Sequence, residues 1–294
     1  MKSMVRLVTL AVVCIAVFVG TPFAQAQTMY VVNSGTGELA QVSAGGAVST
    51  FATGFSNPWG LAADPVGNLY VGSIADKMVY KVDSSGTVTV YASGFAGAAN
   101  LLGMAFDAGG NLYVADVSVG VYKVTPGGGS VSLWATGMSY PRDVAFTTAG
   151  DLYAAGGYNP MSLYSVSSGG TPTLFASVAS MSGFSALDID SAGNFAVSGS
   201  NGTIYKVTLG GSVSTFLTGY TADGLAFDDA GNLYIANSNG TIYRATPGGV
   251  VTPFATGFPS PRGMVFAAVP EPSAIAAVLG AIALFMVVLR RRGR

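Results

Sequence analysis

The chain has 294 residues, of which 50% are hydrophobic, only 9% are charged and 41 are glycine. Residues 27–269 contain seven Lys and Arg against thirteen Asp and Glu, a net charge of −6 with no basic stripe, which argues against nucleic acid as a partner. The chain has no histidine, and its one cysteine is Cys14. These absences exclude Ser-His-Asp and Cys-His catalysis, and zinc sites built on imidazole.

Residues 1–26 have the pattern of a secretory signal peptide. Lys2 and Arg6 precede an apolar run, and residues 24–26 form the Ala-x-Ala pattern of a cleavage site just before Gln27. Cleavage there would remove Cys14, so the exported chain would contain no cysteine. The alternative is an uncleaved anchor helix.

The segment 27–269 is built from a repeat of four short apolar runs. In residues 223–258 these runs are GLAF, NLYIA, TIYRAT and VVTPFAT, separated by the turn sequences DDAGN, NSNG and PGG. Glycine adopts positive φ without steric cost, and Asp or Asn bonds its own backbone in turns, so each unit is predicted to be four antiparallel strands. The Gly-Asn/Asp-Leu/Phe step recurs every 38 to 43 residues. A period near 40 with four strands per unit predicts a β-propeller.

The two ends of the repeat array complement each other. Residues 29–55 supply the second, third and fourth strands of a unit, and residues 262–269 supply a lone first strand. Joined in one sheet they would form a composite blade and close the ring without open ends. With five complete units, the fold class is therefore an all-β, six-bladed β-propeller.

Two sets of residues in the repeat are predicted to be structural. The aspartates before the Gly-Asn step are interpreted as formers of the first hairpin turn, and this interpretation includes Asp188 and Asp190, whose spacing would also suit calcium. The tyrosines of the third strands are predicted to pack between blades, as is Trp134 of a fourth strand. These tyrosines are Tyr80, Tyr122, Tyr164, Tyr205 and Tyr243.

The C-terminal segment, residues 270–294, reads as a membrane-directed tail. It begins with Pro270-Glu271-Pro272, continues with an apolar stretch at 274–289 and ends in an arginine cluster. Such a stretch is about 25 Å long as a helix, just enough for a thin bilayer. The positive-inside rule keeps the arginines cytoplasmic, which places the propeller on the other side.

This tail resembles the PEP-CTERM sorting signal, which combines a Pro-Glu-Pro motif, one membrane helix and an arginine-rich end. The resemblance implies a Gram-negative bacterium, recognition by an exosortase, and secretion across the inner membrane. It also implies release of the propeller to the cell surface or to the exopolysaccharide matrix. The alternative is a permanent membrane anchor.

The blades resemble NHL repeats and the wider superfamily of gluconolactonase-like enzymes and streptogramin lyases. The pattern D-G-L-A-F-D-x-x-G-N-L-Y carries the resemblance, which covers residues 28–268. The streptogramin lyases use a catalytic histidine, which this chain lacks. The lactonases of this superfamily hold a divalent metal with Glu, Asn and Asp side chains. Asp223 matches their aspartate. The glutamate and asparagine positions are unfilled in this chain, unless Asn57 or Asn100 substitutes. One carboxylate near arginines suits a cation such as Ca²⁺ poorly. No cofactor is therefore predicted, and Asp223 is the one candidate metal ligand.

The residue before each first strand is predicted to point into the central mouth of the ring. With two neighbouring asparagines, the candidate binding residues are Asn57, Trp59, Asn100, Arg142, Asp223 and Arg262. Sugars stack on tryptophan, and arginine can hold a carboxylate, so an acidic exopolysaccharide is a candidate ligand. The alternative is structural: Trp59 packs beneath a loop, Arg262 pairs with Asp223, and Arg142 pairs with Asp143.

The sequence thus predicts a secreted surface or matrix protein that binds a glycan or another protein without catalysis. One alternative is a metal-dependent, lactonase-like hydrolase. Another is a purely structural matrix component with no specific ligand.

Overall fold

The computed structural model describes residues 27–268 except 97–99, 158–159 and 179–183. The predicted signal peptide and the tail that begins at Pro270 both lie outside the described residues. Within the part that is described, none of the helical structure has the length and hydropathy that a membrane crossing requires.

The described chain folds into twenty-four strands and one short 3₁₀ helix, Pro126–Gly128. The strands are β1 (Gln27–Asn33), β2 (Glu38–Val42), β3 (Val48–Thr53), β4 (Pro58–Ala63), β5 (Leu69–Ser73), β6 (Met78–Val82), β7 (Val88–Ala92), β8 (Leu101–Phe106), β9 (Leu112–Asp116), β10 (Gly120–Val124), β11 (Val131–Ala135), β12 (Pro141–Phe146), β13 (Leu152–Gly156), β14 (Met161–Val166), β15 (Pro172–Val178), β16 (Phe184–Ile189), β17 (Phe195–Gly199), β18 (Thr203–Val207), β19 (Val213–Thr218), β20 (Ala222–Phe227), β21 (Leu233–Asn237), β22 (Thr241–Ala245), β23 (Val251–Thr256) and β24 (Pro261–Ala268).

These strands form six four-stranded antiparallel sheets, the blades. Blade 1 is the composite one, in the order β24-β1-β2-β3, and places Met29 opposite Phe266 and Val31 opposite Met264. Blades 2 to 6 are β4–β7, β8–β11, β12–β15, β16–β19 and β20–β23. The prediction of six blades, closed by pairing the two ends of the array, is confirmed.

The first strands of the blades surround the axis of the ring. They contact one another in a closed cycle, β4 to β8, β12, β16, β20, β24 and back to β4. Glycines in these strands allow the close approach. A Cβ atom on Gly60 would lie 1.9 Å from the carbonyl oxygen of Leu102, and one on Gly224 would lie 2.0 Å from that of Arg262. Neighbouring first strands therefore meet without intervening side chains at these two seams.

Aromatic side chains fill the space between blades. Tyr70 of β5 packs edge-on against Tyr91 of its own blade and Phe106 of the next, with both ring centres 4.7 Å away. Tyr113 makes the same contacts with Trp134 and Phe146, so the core position predicted for Trp134 is confirmed. Of the third-strand tyrosines, Tyr122 and Tyr205 are buried and the other three are partly exposed.

The fourth strand of every blade carries a β-bulge, and its extra residue is the recurrent aromatic. In blade 1, Leu39 pairs with Ala52 and Ala40 pairs with Thr50, which leaves Phe51 as the extra residue. A bulge bends an edge strand and disrupts its ladder, which protects the open outer edge from pairing with another chain.

The turn aspartates behave as predicted in four blades. In blade 6, Asp228 Oδ1 accepts hydrogen bonds from the backbone N–H of Ala230 at 3.0 Å and of Asn232 at 2.8 Å. Asp190 makes the equivalent bonds in blade 5. The interpretation of Asp188 as a turn former is wrong. It lies within β16, at the place of the alanine in Gly-Leu-Ala-Phe, because only the second aspartate of Asp-Ile-Asp reaches the turn.

Candidate functional site

A cavity of about 370 Å³ lies on the axis of the ring. All six first strands line it, and glycines and alanines such as Gly60, Ala62, Gly103 and Gly224 alternate there with larger apolar residues. Each first strand pairs with only one neighbour in its own sheet, so its other edge faces the axis of the ring. We call the end where the first strands begin the mouth.

Three side chains from successive first strands meet at the mouth. Arg262 of β24 forms an ion pair with Asp223 of β20 through its Nη1 atom. Its guanidinium also lies over the ring of Trp59 of β4, with Cζ 4.0 Å from the ring centre. In addition, Arg262 Nε donates a hydrogen bond of 3.2 Å to Ser34 Oγ. This mouth cluster links blades 6, 1 and 2.

The mouth cluster combines a structural role with an open surface. The pairing of Arg262 with Asp223, which the structural alternative requires, is present, and their side chains are 21% and 17% exposed. The positive charge of Arg262 is therefore balanced, and one face of Trp59 is covered. Trp59 and Asp223 nevertheless line the central cavity.

The other three candidate binding residues do not line this cavity. Asn57 is exposed in the loop before β4, with φ of 51°, and its carbonyl oxygen accepts a hydrogen bond from the N–H of Ile74. Asn100 donates a hydrogen bond of 3.2 Å to Ser118 Oγ. Arg142 is half-buried at the start of β12. The six candidates thus separate into a cluster of three and three residues at its periphery.

Two carboxyl groups in the cavity wall were missed as site residues. Asp143 occupies the glycine place in β12, and its Oδ2 accepts a 2.8 Å hydrogen bond from the N–H of Leu187 in blade 5. Asp188 Oδ2 accepts a 2.6 Å hydrogen bond from the N–H of Phe227 in blade 6. Each carboxyl group therefore crosses one seam. The available signal was a charged residue where the other repeats have glycine, alanine or, at Val265, valine.

Burial changes the protonation of both groups. Burial raises the pKa of Asp143 to about 7; hydrogen bonds from Leu187 and Val144 oppose the rise, and the nearby charge of Asp188 adds to it. Burial likewise raises the pKa of Asp188 to about 6, against the hydrogen bonds that it accepts from Phe227 and Ile189. Both carboxyl groups therefore hold protons in mild acid.

The described residues do not assemble a metal centre of the usual kind. They contain no group of three or more His, Cys, Asp or Glu side chains placed to hold an ion. Asp223, the candidate metal ligand, is engaged by Arg262. What the site can do chemically is stack a ring on Trp59 and exchange protons at two half-buried carboxyl groups in the cavity wall.

Solved structures share this architecture. A catalytically inactive variant of virginiamycin B lyase from Staphylococcus aureus, with quinupristin, has a TM-score of 0.61 and 11% identity over 82% of this chain and 89% of that one. The PQQ-bound aldose sugar dehydrogenase from Streptomyces coelicolor has a TM-score of 0.60 and 16% identity over 74% and 87%. A streptogramin B lyase has a TM-score of 0.57 and 13% identity over 84% and 83%.

The likeness is one of fold. Identities of 11% to 16% do not carry an activity from those enzymes to this chain. Neither a scan against protein-family models nor a search of curated proteins gave a match.

Proposed function

We propose that the protein is a secreted, non-catalytic β-propeller that binds an exopolysaccharide through its mouth. The observation that carries this proposal is the mouth cluster, in which an aromatic ring at the edge of a central cavity is held in place by Arg262 and Asp223. A pre-organised aromatic platform at the edge of a cavity suits the apolar face of a sugar ring.

The lack of a histidine supports a binding role. The lyase variant with alanine in place of a histidine is catalytically inactive, and the present chain has no histidine at any position. The carboxyl groups of Asp143 and Asp188 are hydrogen-bonded to backbone, and that of Asp223 is paired with Arg262.

The ion pair also refines the expected ligand. An acidic sugar would have to compete with Asp223 for the guanidinium of Arg262, and it would approach two further carboxyl groups in the cavity wall. A neutral sugar meets neither obstacle and still gains the contact with Trp59. We therefore expect neutral sugar units to bind more tightly than acidic ones.

A variant with one tryptophan tests this binding directly. The chain has two tryptophans, so Trp134→Phe leaves Trp59 as the only indole reporter. Titration with neutral oligosaccharides, and with uronic-acid oligosaccharides of equal length, should change its fluorescence at lower concentrations for the neutral series. Trp59→Ala should weaken binding at least tenfold, whereas Trp134→Phe should bind like the wild type. Equal binding by Trp59→Ala and wild type would refute the role of the mouth.

The sorting tail belongs to the same proposal. We infer that an exosortase recognises Pro270-Glu271-Pro272 and that the propeller then passes to the cell surface or the matrix. Mass spectrometry of the surface protein should find a chain that starts at Gln27 and lacks residues 273–294. Replacing the three motif residues with alanine should retain the uncut protein in the inner membrane. Surface protein that still carries residues 273–294 would contradict the sorting model and favour a permanent anchor.

A hydrolase is the second candidate, favoured by one observation. Asp143 and Asp188 are carboxyl groups in a central cavity with pKa values of about 7 and about 6, a range suited to general acid–base catalysis. Assay of the purified protein against a lactone panel, with EDTA or added Ca²⁺, decides between the candidates. Turnover that Asp143→Asn abolishes would favour the hydrolase. A protein with neither turnover nor glycan binding would fit a purely structural matrix component.

A further inference from the structure

We propose that Asp143 and Asp188 form a proton-dependent clamp that holds blades 4, 5 and 6 together more firmly in mild acid than at neutral pH. The inference is independent of the ligand at the mouth. It concerns two aspartates that stand where the other repeats have an uncharged residue.

The geometry of the seams distinguishes these two residues. Where Gly60 or Gly224 lies in the first strand, that strand meets the next one directly. In blade 4, Asp143 replaces the glycine. Its Oδ2 atom binds the N–H of Leu187 in blade 5, and its Oδ1 atom would lie 1.7 Å from a Cβ atom on Gly103 in blade 3. The carboxyl group of Asp143 therefore lies between two neighbouring blades.

Asp188 continues the same line of contacts around the ring. It lies one residue after Leu187, and its Oδ2 atom binds the N–H of Phe227 at the end of β20. Blades 4, 5 and 6 are thus joined in series by two bonds from carboxyl groups to backbone. An N–H group can donate to a carboxyl oxygen in either protonation state, so protonation preserves both bonds.

Ionisation weakens the clamp for two reasons. Asp143 and Asp188 are half-buried, so each carboxylate loses part of its hydration, and one or two backbone N–H groups replace only some of that loss. The two carboxylates also repel each other, since the charge of Asp188 raises the pKa of Asp143. Opening a seam to water relieves both costs. We therefore expect the seams at blade 5 to open more often as the pH rises.

The direction of the effect follows from proton linkage. Both groups have pKa values in the folded protein above the ordinary 3.8. The folded state thus binds more protons than the unfolded state from about pH 4 to about pH 7. The stabilisation is complete below the unfolded pKa and is lost as the pH rises through the two folded pKa values.

Other titratable groups surround the clamp, and one of them, Asp116, is a fully buried carboxyl group whose Oδ2 atom accepts no hydrogen bond from the described residues. The titratable residues on the strands packed against β12 and β16 are Tyr113, Asp116, Tyr153 and Asp223, and beside the clamp lie Arg142 and Asp190. Tyrosine and arginine ordinarily titrate near or above pH 10, and Asp223 is paired with Arg262. The chain contains no histidine, the side chain that usually titrates between pH 5 and 8.

Proton counting on the wild-type protein is the first test. Calorimetric unfolding of the mature protein in two buffers with different ionisation enthalpies gives the number of protons released. At pH 5 we expect unfolding to release about two protons, and at pH 8 almost none. Release of fewer than about half a proton at pH 5 would overturn the proposal.

Amide variants then assign the protons to residues. Between pH 5 and pH 8 the melting temperature of the wild type should fall by about 10 °C, as two raised pKa values require. In the double variant Asp143→Asn/Asp188→Asn the fall should shrink to a few degrees. The exposed Asp229→Asn is the matched control and should keep the wild-type fall. A double variant whose melting temperature falls as much as that of the wild type between pH 5 and pH 8 would refute the assignment. If the double variant does not fold, the two single variants replace it, and each should show a smaller fall in melting temperature than the wild type.

Hydrogen exchange locates the opening. The amides of Leu187 and Phe227 donate to the clamp, and the amide of Met264 occupies the place of Leu187 in blade 1, which has no such carboxyl group. The exchange rates of Leu187 and Phe227, each divided by that of Met264, should rise several-fold from pH 5 to pH 8. A constant ratio would mean that the protons act on global stability only and would refute a local clamp.

Discussion

The substitution Gly60→Ala tests how tightly the first strands approach one another. The new Cβ atom would lie 1.9 Å from the carbonyl oxygen of Leu102 and 3.2 Å from Met104 Cγ. Ordinary contact requires the oxygen to retreat by more than one ångström, and this oxygen belongs to the backbone of the next blade. Because the first strands form a closed cycle, blade 3 cannot move without disturbing its other neighbour as well.

We expect Gly60→Ala to cost about 3 kcal/mol, the upper part of the range for overpacking a rigid core. For a protein of this size the melting temperature should fall by about 6 to 12 °C, which circular dichroism can measure. Gly248→Ala is the matched control, because its Cβ atom would meet nothing closer than Thr246 Oγ1 at 3.9 Å. If both variants melt within about 2 °C of each other, the seams are more adaptable than the contact distances indicate.

Two further predictions concern the mouth cluster and the turns. Arg262→Ala removes a partly exposed ion pair and the contact with Trp59, so it should lower the free energy of unfolding in urea by about 2 kcal/mol. The control Arg244→Ala, at an exposed arginine, should lower it by less than about 0.5 kcal/mol. Equal losses in the two variants would show that the ion pair is not structural. Asp228→Ala loses three hydrogen bonds and should cost about 2 kcal/mol, while its exposed neighbour Asp229→Ala should be near neutral by the same measurement; a neutral Asp228→Ala would contradict the role given to the turn.

The fold was predictable because each blade repeats the same physical requirements. Hairpins need a residue at positive φ, which is usually glycine, as at Gly67 and Gly231, although Lys77 takes this conformation between β5 and β6. Every blade also needs aromatic rings at fixed positions to fill the space beside its neighbour. The composite blade was predictable because the first unit of the array lacked a first strand and the array ended with an additional first strand.

The candidate site was only partly predictable, and the reason lies in what a repeat pattern encodes. The residues before the first strands were expected at the mouth, and Trp59, Asp223 and Arg262 do meet there. The pattern says nothing about a residue that departs from it, so Asp143 was considered only as a partner for Arg142. Asp188 was assigned to a turn because it lies next to one in sequence. Both contacts depend on the neighbouring blade, which a single repeat does not contain.

The composite blade also constrains how the molecule is made. Asn33 of β1 accepts a hydrogen bond from the N–H of Ser260, 227 positions later, and β1 has no inner neighbour until β24 arrives. During synthesis the first blade therefore keeps an unpaired edge until almost the whole propeller has emerged. Contacts over such distances form late in folding. This delay is compatible with the export proposed above, because the ring cannot close before its last strand is available.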